Sequence, residues 1–186
     1  RVTDLVDLAS RRMGGSVAAA NDELFAEREN LIRPEAPTFS AYTFGPKGQV
    51  YDGWETRRRR EPGHDWALVR LGQPGLVRAV VVDTAFFVGN HPPEVSVEGA
   101  AVEGYPSAEE LEAARWLPLV RRSPVKGDAR NAFVVDAQER VTHVRLCQYP
   151  DGGVARLRVH GEVVPDPRFM ATGHLDLAAL ENGGSV

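Results

Sequence analysis

The densest concentration of chemically capable side chains is the stretch from Tyr51 to Trp66, YDGWETRRRREPGHDW. It carries four carboxylates (Asp52, Glu55, Glu61, Asp65), four consecutive arginines (Arg57–Arg60), His64 and two tryptophans. A guanidinium clamps a carboxylate through two parallel hydrogen bonds, while an Asp or Glu accepts from N–H groups or moves protons. That chemistry suits a small-anion site. Arg57 and Arg58 are its candidate cations, Asp65 a further substrate contact, and Asp52, Glu55 and His64 the acid–base candidates. In an extended segment alternate residues share a face, so Arg57 and Arg59 point one way and Arg58 and Arg60 the other. Two other readings stay open on residue type alone: a solvated, self-neutralising charge patch, or a nucleic-acid patch diluted by the flanking acids.

A second cluster runs from Val82 to Pro93, VDTAFFVGNHPP. An apolar strand ends there in a loop that carries Asp83, Thr84, Asn90 and His91, and polar groups held at the end of a buried strand are well placed for binding. Asp83 joins the acid–base candidates and Asn90 the substrate contacts. The alternative is that both serve as turn formers that tie down loop backbone. The five histidines show no close ligand spacing, so no metal site is assigned. Cys147 lies in an apolar run without an activating neighbour and reads as a buried, inert thiol. Sequences of the G-x-S-x-G, Walker A and G-x-G-x-x-G types are absent, which disfavours serine hydrolases, P-loop enzymes and dinucleotide enzymes.

The elements that must position these residues are short strands. Among 186 residues there are 24 valines against a single isoleucine, with 18 glycines and 13 prolines. Valine-rich runs broken often by Gly and Pro read as many strands joined by turns. Trp66–Leu71 and Leu76–Phe87 are strand candidates, and VVVDT in the second is β-branched on both faces, as in a strand covered on both sides. Val141–Tyr149 and Val154–Val164 flank Pro150–Gly153 (PDGG), which predicts a β-hairpin. Two helices are predicted, over Thr3–Met13 with Thr3 as cap and Gly14–Gly15 as stop, and over Ser107–Trp116, where Ser107 and Glu110 form a capping box. Asn21–Asn30 reads as irregular or a single turn, and Pro34, Pro37 and Pro46 keep the stretch to Gln49 in loops. The sum is a mostly β chain, an antiparallel sandwich with short helical inserts.

Composition excludes several classes. The formal net charge is −4, whereas nucleic-acid binders show a basic excess or a basic face. No apolar run approaches the roughly 20 residues that cross a bilayer, and Arg1–Ser10 lacks a signal-peptide layout. One cysteine excludes an internal disulfide, which favours a reducing, cytoplasmic setting.

The chain also repeats itself. Asp7–Val17 (DLASRRMGGSV) and Asp176–Val186 (DLAALENGGSV) share seven of eleven positions at an offset of 169 residues. This predicts one full repeat over residues 1–170 and the start of a second over 171–186. The final segment is expected to pack loosely without the rest of its repeat.

Taken together, DLASRRMGG, AANDELFAERENLI, YDGWETRRRREPGHDW, VVVDTAFFVGN, RSP and THVRLCQYPDGGVARLRVHGEV resemble the allantoicase (allantoate amidinohydrolase) family in order and spacing. The resemblance extends from Asp7 to Val164. It implies a jelly-roll, galactose-binding-like sandwich, present twice in the family, of which this chain is similar to the first copy. It also implies hydrolysis of allantoate to ureidoglycolate and urea. Allantoate as substrate, a second repeat of the same protein as partner, and a homo-oligomer are expected. Neither nucleic acid nor membrane is. No cofactor is predicted, with a divalent metal left open. The alternative is a non-catalytic module that binds a ligand or completes an oligomer.

Overall fold

The valine-rich stretch after His64 forms one continuous strand, Asp65–Asp83, rather than the two that the sequence predicts. The computed structural model describes residues 1–170 together with 176, 178 and 179. In chain order its strands are β1 (Ser16–Ala20), β2 (Phe44–Gly45), β3 (Gly48–Gln49), β4 (Trp54–Glu55), β5 (Asp65–Asp83), β6 (Glu94–Ala100), β7 (Leu117–Pro124), β8 (Arg130–Val134), β9 (Val141–Tyr149), β10 (Gly153–Val154) and β11 (Arg156–Val163). Two short α-helices, α1 (Ala108–Glu112) and α2 (Pro167–Met170), accompany them.

All strand pairings are antiparallel. The first part of β5 lies between β1 and β9, and β9 continues through β6 to β7. The register of β5 against β9 breaks between Arg70 and Gly75, and beyond that break β5 lies between β11 and β8. One long strand thus serves both leaves of a jelly-roll sandwich. Val80, Val81 and Val82 are all buried, as their β-branched run predicts. Val69 and Val80 from the two parts of β5 join Val95, Val97, Val144, Leu146, Leu157 and Val159 in one core.

Three local expectations are corrected. The strands around Pro150–Gly153 do not pair with each other: β9 pairs with β5 and β6, β11 with the far part of β5, and the intervening β10 with β4. The D-G turn is therefore a crossing between leaves. Thr3–Met13 is not a helix but two 3-10 turns, Val2–Asp4 and Arg11–Met13, the second capped by Ser10. Tertiary hydrogen bonds outcompete helical ones there: Leu8 N donates to Val159 O (2.8 Å) and Leu8 O accepts from Gly72 N (2.8 Å). The helix expected over Ser107–Trp116 is shorter, Ala108–Glu112. Its capping box is present, and the Trp116 indole donates to Leu111 O (2.9 Å) at its end. In the proline-rich stretch, β2 and β3 add a small hairpin around Pro46 and Lys47. The loose packing expected of Asp176–Val186 lies outside the described residues apart from 176, 178 and 179. Among the described residues no helix is long and apolar enough to cross a membrane.

Candidate functional site

The crossing from β9 to β11 gathers the chemically capable loops. Because β5 serves both leaves, both its ends reach this segment: Asp65 N donates to Pro150 O (3.1 Å) and Ala155 N donates to Asp83 O (2.8 Å). Between these anchors Thr56 N donates to Gly152 O (3.1 Å) and Gly153 N to Asn90 O (2.7 Å). Phe87, fully buried, is the wedge. A Cβ on Gly153 would sit 2.1 Å from its ring and one on Gly53 2.8 Å from it, so the glycines of DGW and PDGG are required by close approach. The Asp52–Asp65 and Asp83–His91 loops consequently meet, and Asn90 Nδ2 donates to Glu55 Oε1 (2.8 Å).

Two clefts flank β4. The first, about 440 Å³, is lined by Asn21, Asp22, Arg57–Arg60, Glu61 and Asp65. Two of its four arginines are paired. Arg57 donates to Asp22 through both Nε (2.9 Å) and its backbone N–H (2.7 Å). Arg59 donates to the buried Asp65 (2.7 Å), which also accepts from Asn21 (2.8 Å), and the Arg59 backbone is held by Asp151 (2.7 Å). Arg58 and Arg60 have no ion pair among the described residues. His64 is exposed and its ring lies tilted against Tyr149, with centroids 4.9 Å apart, outside the residues that line this cleft.

The second cleft, about 270 Å³, is lined by Asn30, Arg33, Thr38, Ser40, Thr43, Val50, Tyr51 and Asp52. Here the structure separates Asp52 from Arg57 and Arg58, which sequence proximity had grouped. Asp52 is instead held by Arg156, whose side chain is 1% exposed. Arg156 Nη2 donates to Asp52 Oδ2 (2.8 Å), and its other N–H groups reach the carbonyls of Glu35, Asp52 and Ala155. Two residues on, Arg158 donates to the carbonyls of Arg33, Pro34 and Glu35. The β11 arginines thus fasten the 33–35 segment from below. The cleft wall is tied to the neighbouring loop by rings: Tyr51 stacks on Phe87 (4.9 Å) and Phe39 on Phe86 (5.6 Å).

The carboxylates diverge electrostatically. Burial pushes the Glu55 carboxyl up, and the hydrogen bond from Asn90 only partly offsets this, so its value is raised. Burial also acts on Asp52, but hydrogen bonds from Arg156 and Thr38 and the charges of Arg156 and Arg33 outweigh it, so its value is lowered. Burial thus favours the protonated form of Glu55, and the partners of Asp52 favour its ionised form. Asp83 is buried and its Oδ1 accepts from Ala85 N (2.9 Å), the geometry of a turn former. Cys147 is buried and free, and burial pushes its thiol up. Among the described residues no group of three or more His, Cys, Asp or Glu side chains is placed to hold a metal ion.

Sequence reasoning missed Asn30, Arg33, Thr38 and Arg156 at the second cleft and Asn21 and Asp22 at the first. Arg156 stands in the ARLRV motif and Asn21 and Asp22 in AANDELF, but nothing local pairs them with residues far away in the chain.

The chain is similar to known proteins in sequence and fold. Residues 6–164 match the family described as allantoicase repeat. A "Probable allantoicase" of Nocardia farcinica is 58% identical over 99% of this chain and 56% of its own length. The crystal structure of allantoicase from Saccharomyces cerevisiae superposes with a TM-score of 0.80 at 37% identity, over 97% of this chain and 53% of that one. The chain thus spans about half the length of the relatives it matches. A carbohydrate-binding module, CBM32-3 of a Clostridium perfringens glycoside hydrolase, shares the fold at a TM-score of 0.59 and 11% identity. With its motifs, its sandwich and these relatives in agreement from Val6 to Val164, the chain belongs to the allantoicase repeat family.

Proposed function

We propose that the protein to which this repeat belongs hydrolyses allantoate to ureidoglycolate and urea. The observation that carries the proposal is family membership across residues 6–164, with 58% identity to a probable allantoicase. The reaction breaks a C–N bond at an aminal carbon and forms a C–O bond from water, with a proton delivered to the departing urea nitrogen. Such a step needs an acid that holds its proton and a fixed, ionised acceptor. Among the candidates Asp52, Glu55, Asp83 and His64, Glu55 is proposed for the first role because burial favours its protonated form, and Asp52 for the second because Arg156, Thr38 and Arg33 favour its ionised form. Asp83 is engaged as a turn former and His64 is an exposed alternative.

Of the expected substrate contacts Arg57, Arg58, Asp65 and Asn90, we propose Arg58 as the one left to meet the substrate. Of these, Arg58 offers an unpaired cation that draws a small anion toward the site, while Arg57 and Asp65 brace the loop and Asn90 orients Glu55. The second repeat of the same protein is proposed as a partner, supported by the eleven-residue segment that recurs at an offset of 169 residues, and a homo-oligomer is proposed from the family resemblance alone. A cytoplasmic setting is proposed from the single, buried cysteine. The test is urea release from allantoate by the purified two-repeat protein, with one urea expected per allantoate consumed. Failure to release urea sinks the reading.

A further inference from the structure

The second cleft holds an asymmetric carboxylate. Asp52 Oδ2 is occupied from beneath by Arg156 (2.8 Å), by the Thr38 backbone N–H (3.0 Å) and by the Thr38 hydroxyl (3.4 Å). Asp52 Oδ1 has one contact, with Arg33 Nη1 at 3.5 Å, at the outer limit of a hydrogen bond. One oxygen is therefore anchored and the other is left for an incoming donor. Arg33 is equally underused. Its side chain is 46% exposed, and its ion pairs, to Asp52 at 3.5 Å and to Glu35 at 3.6 Å, are both long. Its backbone, by contrast, is fixed through the carbonyl that Arg158 holds at 2.6 Å. A fixed stem with a loosely paired head is what a carboxylate clamp requires. Ser40 and Thr43 add hydroxyls to the same lining.

We propose that this cleft is the subsite where the substrate is gripped: Arg33 takes its carboxylate, and Asp52 Oδ1 accepts from the N–H groups of one ureido arm. The proposal rests on allantoate being the substrate, and it assigns the clamp to a residue outside the arginine run. Fully buried Arg156 has Asp52 as its one carboxylate partner among the described residues. Burying a charge is costly, so a buried pair adds little net stability over an apolar replacement, and in some proteins it fixes geometry. Here the geometry fixed is the orientation of Asp52. The subsite recognises a small anion that carries N–H donors beside its carboxylate, and it discriminates against the same skeleton without the carboxylate.

The test compares wild-type two-repeat protein with Arg33→Ala, using urea release and calorimetric binding. The probes are allantoate and methylenediurea, which carries both ureido arms and no carboxylate. Arg33→Ala is expected to raise KM and Kd for allantoate on the order of tenfold or more, while binding of methylenediurea stays within about twofold. An unchanged KM and Kd for allantoate, or equal losses for both probes, overturns the proposal. Wild type that binds allantoate without releasing urea refutes the hydrolytic function alone, and the binding comparison still decides the subsite. Wild type that does not bind allantoate overturns both.

Discussion

The two clefts beside β4 are built on opposite principles. The arginine run of the first stands out in the sequence, yet in space two of its four cations are spent on neighbours, Arg57 on Asp22 and Arg59 on Asp65. The second is assembled from positions 30, 33, 38 and 52, with Arg156 beneath, and no two of its charged residues are adjacent in the chain. There the inner charge is buried and fixed while the outer one is loosely paired. The difference teaches that local charge density does not measure availability for a ligand. Availability depends on whether the partners of each charge come from within the protein or are left to be supplied.

The largest expected effect lies beneath the second cleft. Arg156→Met leaves Asp52 without its inner partner and removes the guanidinium donor from the carbonyls of Asp52 and Ala155, while Glu35 O keeps Arg158, and should destabilise the repeat by about 3–5 kcal/mol in denaturant unfolding. A loss below about 1 kcal/mol would mean that the buried guanidinium is not the anchor of that cleft. The first cleft should depend on Asp65, which accepts from Arg59 and Asn21. Asp65→Asn is expected to cost about 1–3 kcal/mol, and thermal unfolding that matches wild type would show that the run is not internally braced.

Smaller effects come from proton linkage, and Glu55 and Asp52 should differ in sign. Glu55 has a folded-state value raised above 4.5, so folding favours its protonated form. Its contribution is present at low pH and lost as pH rises through the raised value. The stability of wild type relative to Glu55→Gln should therefore fall across that window. Asp52 is lowered below 3.8, so its contribution is present above that value and lost as pH falls through the lowered one. Wild type relative to Asp52→Asn should lose stability on acidification. Unfolding midpoints from pH 2 to 8 read both, and slopes of the same sign for the two variants would erase the distinction between donor and acceptor.

The smallest structural effect is expected at Arg58, which is exposed and unpaired. Arg58→Ala should change stability by no more than about 0.5 kcal/mol. In the two-repeat protein it should lower kcat/KM for allantoate a few-fold, and less so at high salt, as a steering charge does. A rise in KM larger than that of Arg33→Ala, independent of salt, would reverse the comparison and return the clamp to the arginine run.

By itself the sequence determined what local physics controls. Strand content followed from valine runs punctuated by Gly and Pro, and the capping box at Ser107 and Glu110 from side chains that satisfy nearby N–H groups. The loop that carries Glu55 could be named from residue type, and the one that carries Asn90 from residue type and its place after an apolar strand. Tertiary structure decided what needed partners from afar. The D-G turn became a crossing between leaves because β9 and β11 found different parts of β5. The N-terminal segment gave up its helix because Leu8 bonds to Val159 and Gly72. Asp52 left the arginine run for Arg33 and Arg156 because a carboxylate goes to the donors that the fold brings to it, and Arg156 stands 104 residues along the chain. Periodicity and capping are written within a few residues. Which charges are spent and which remain available is set by contacts that exist only after the two leaves have closed.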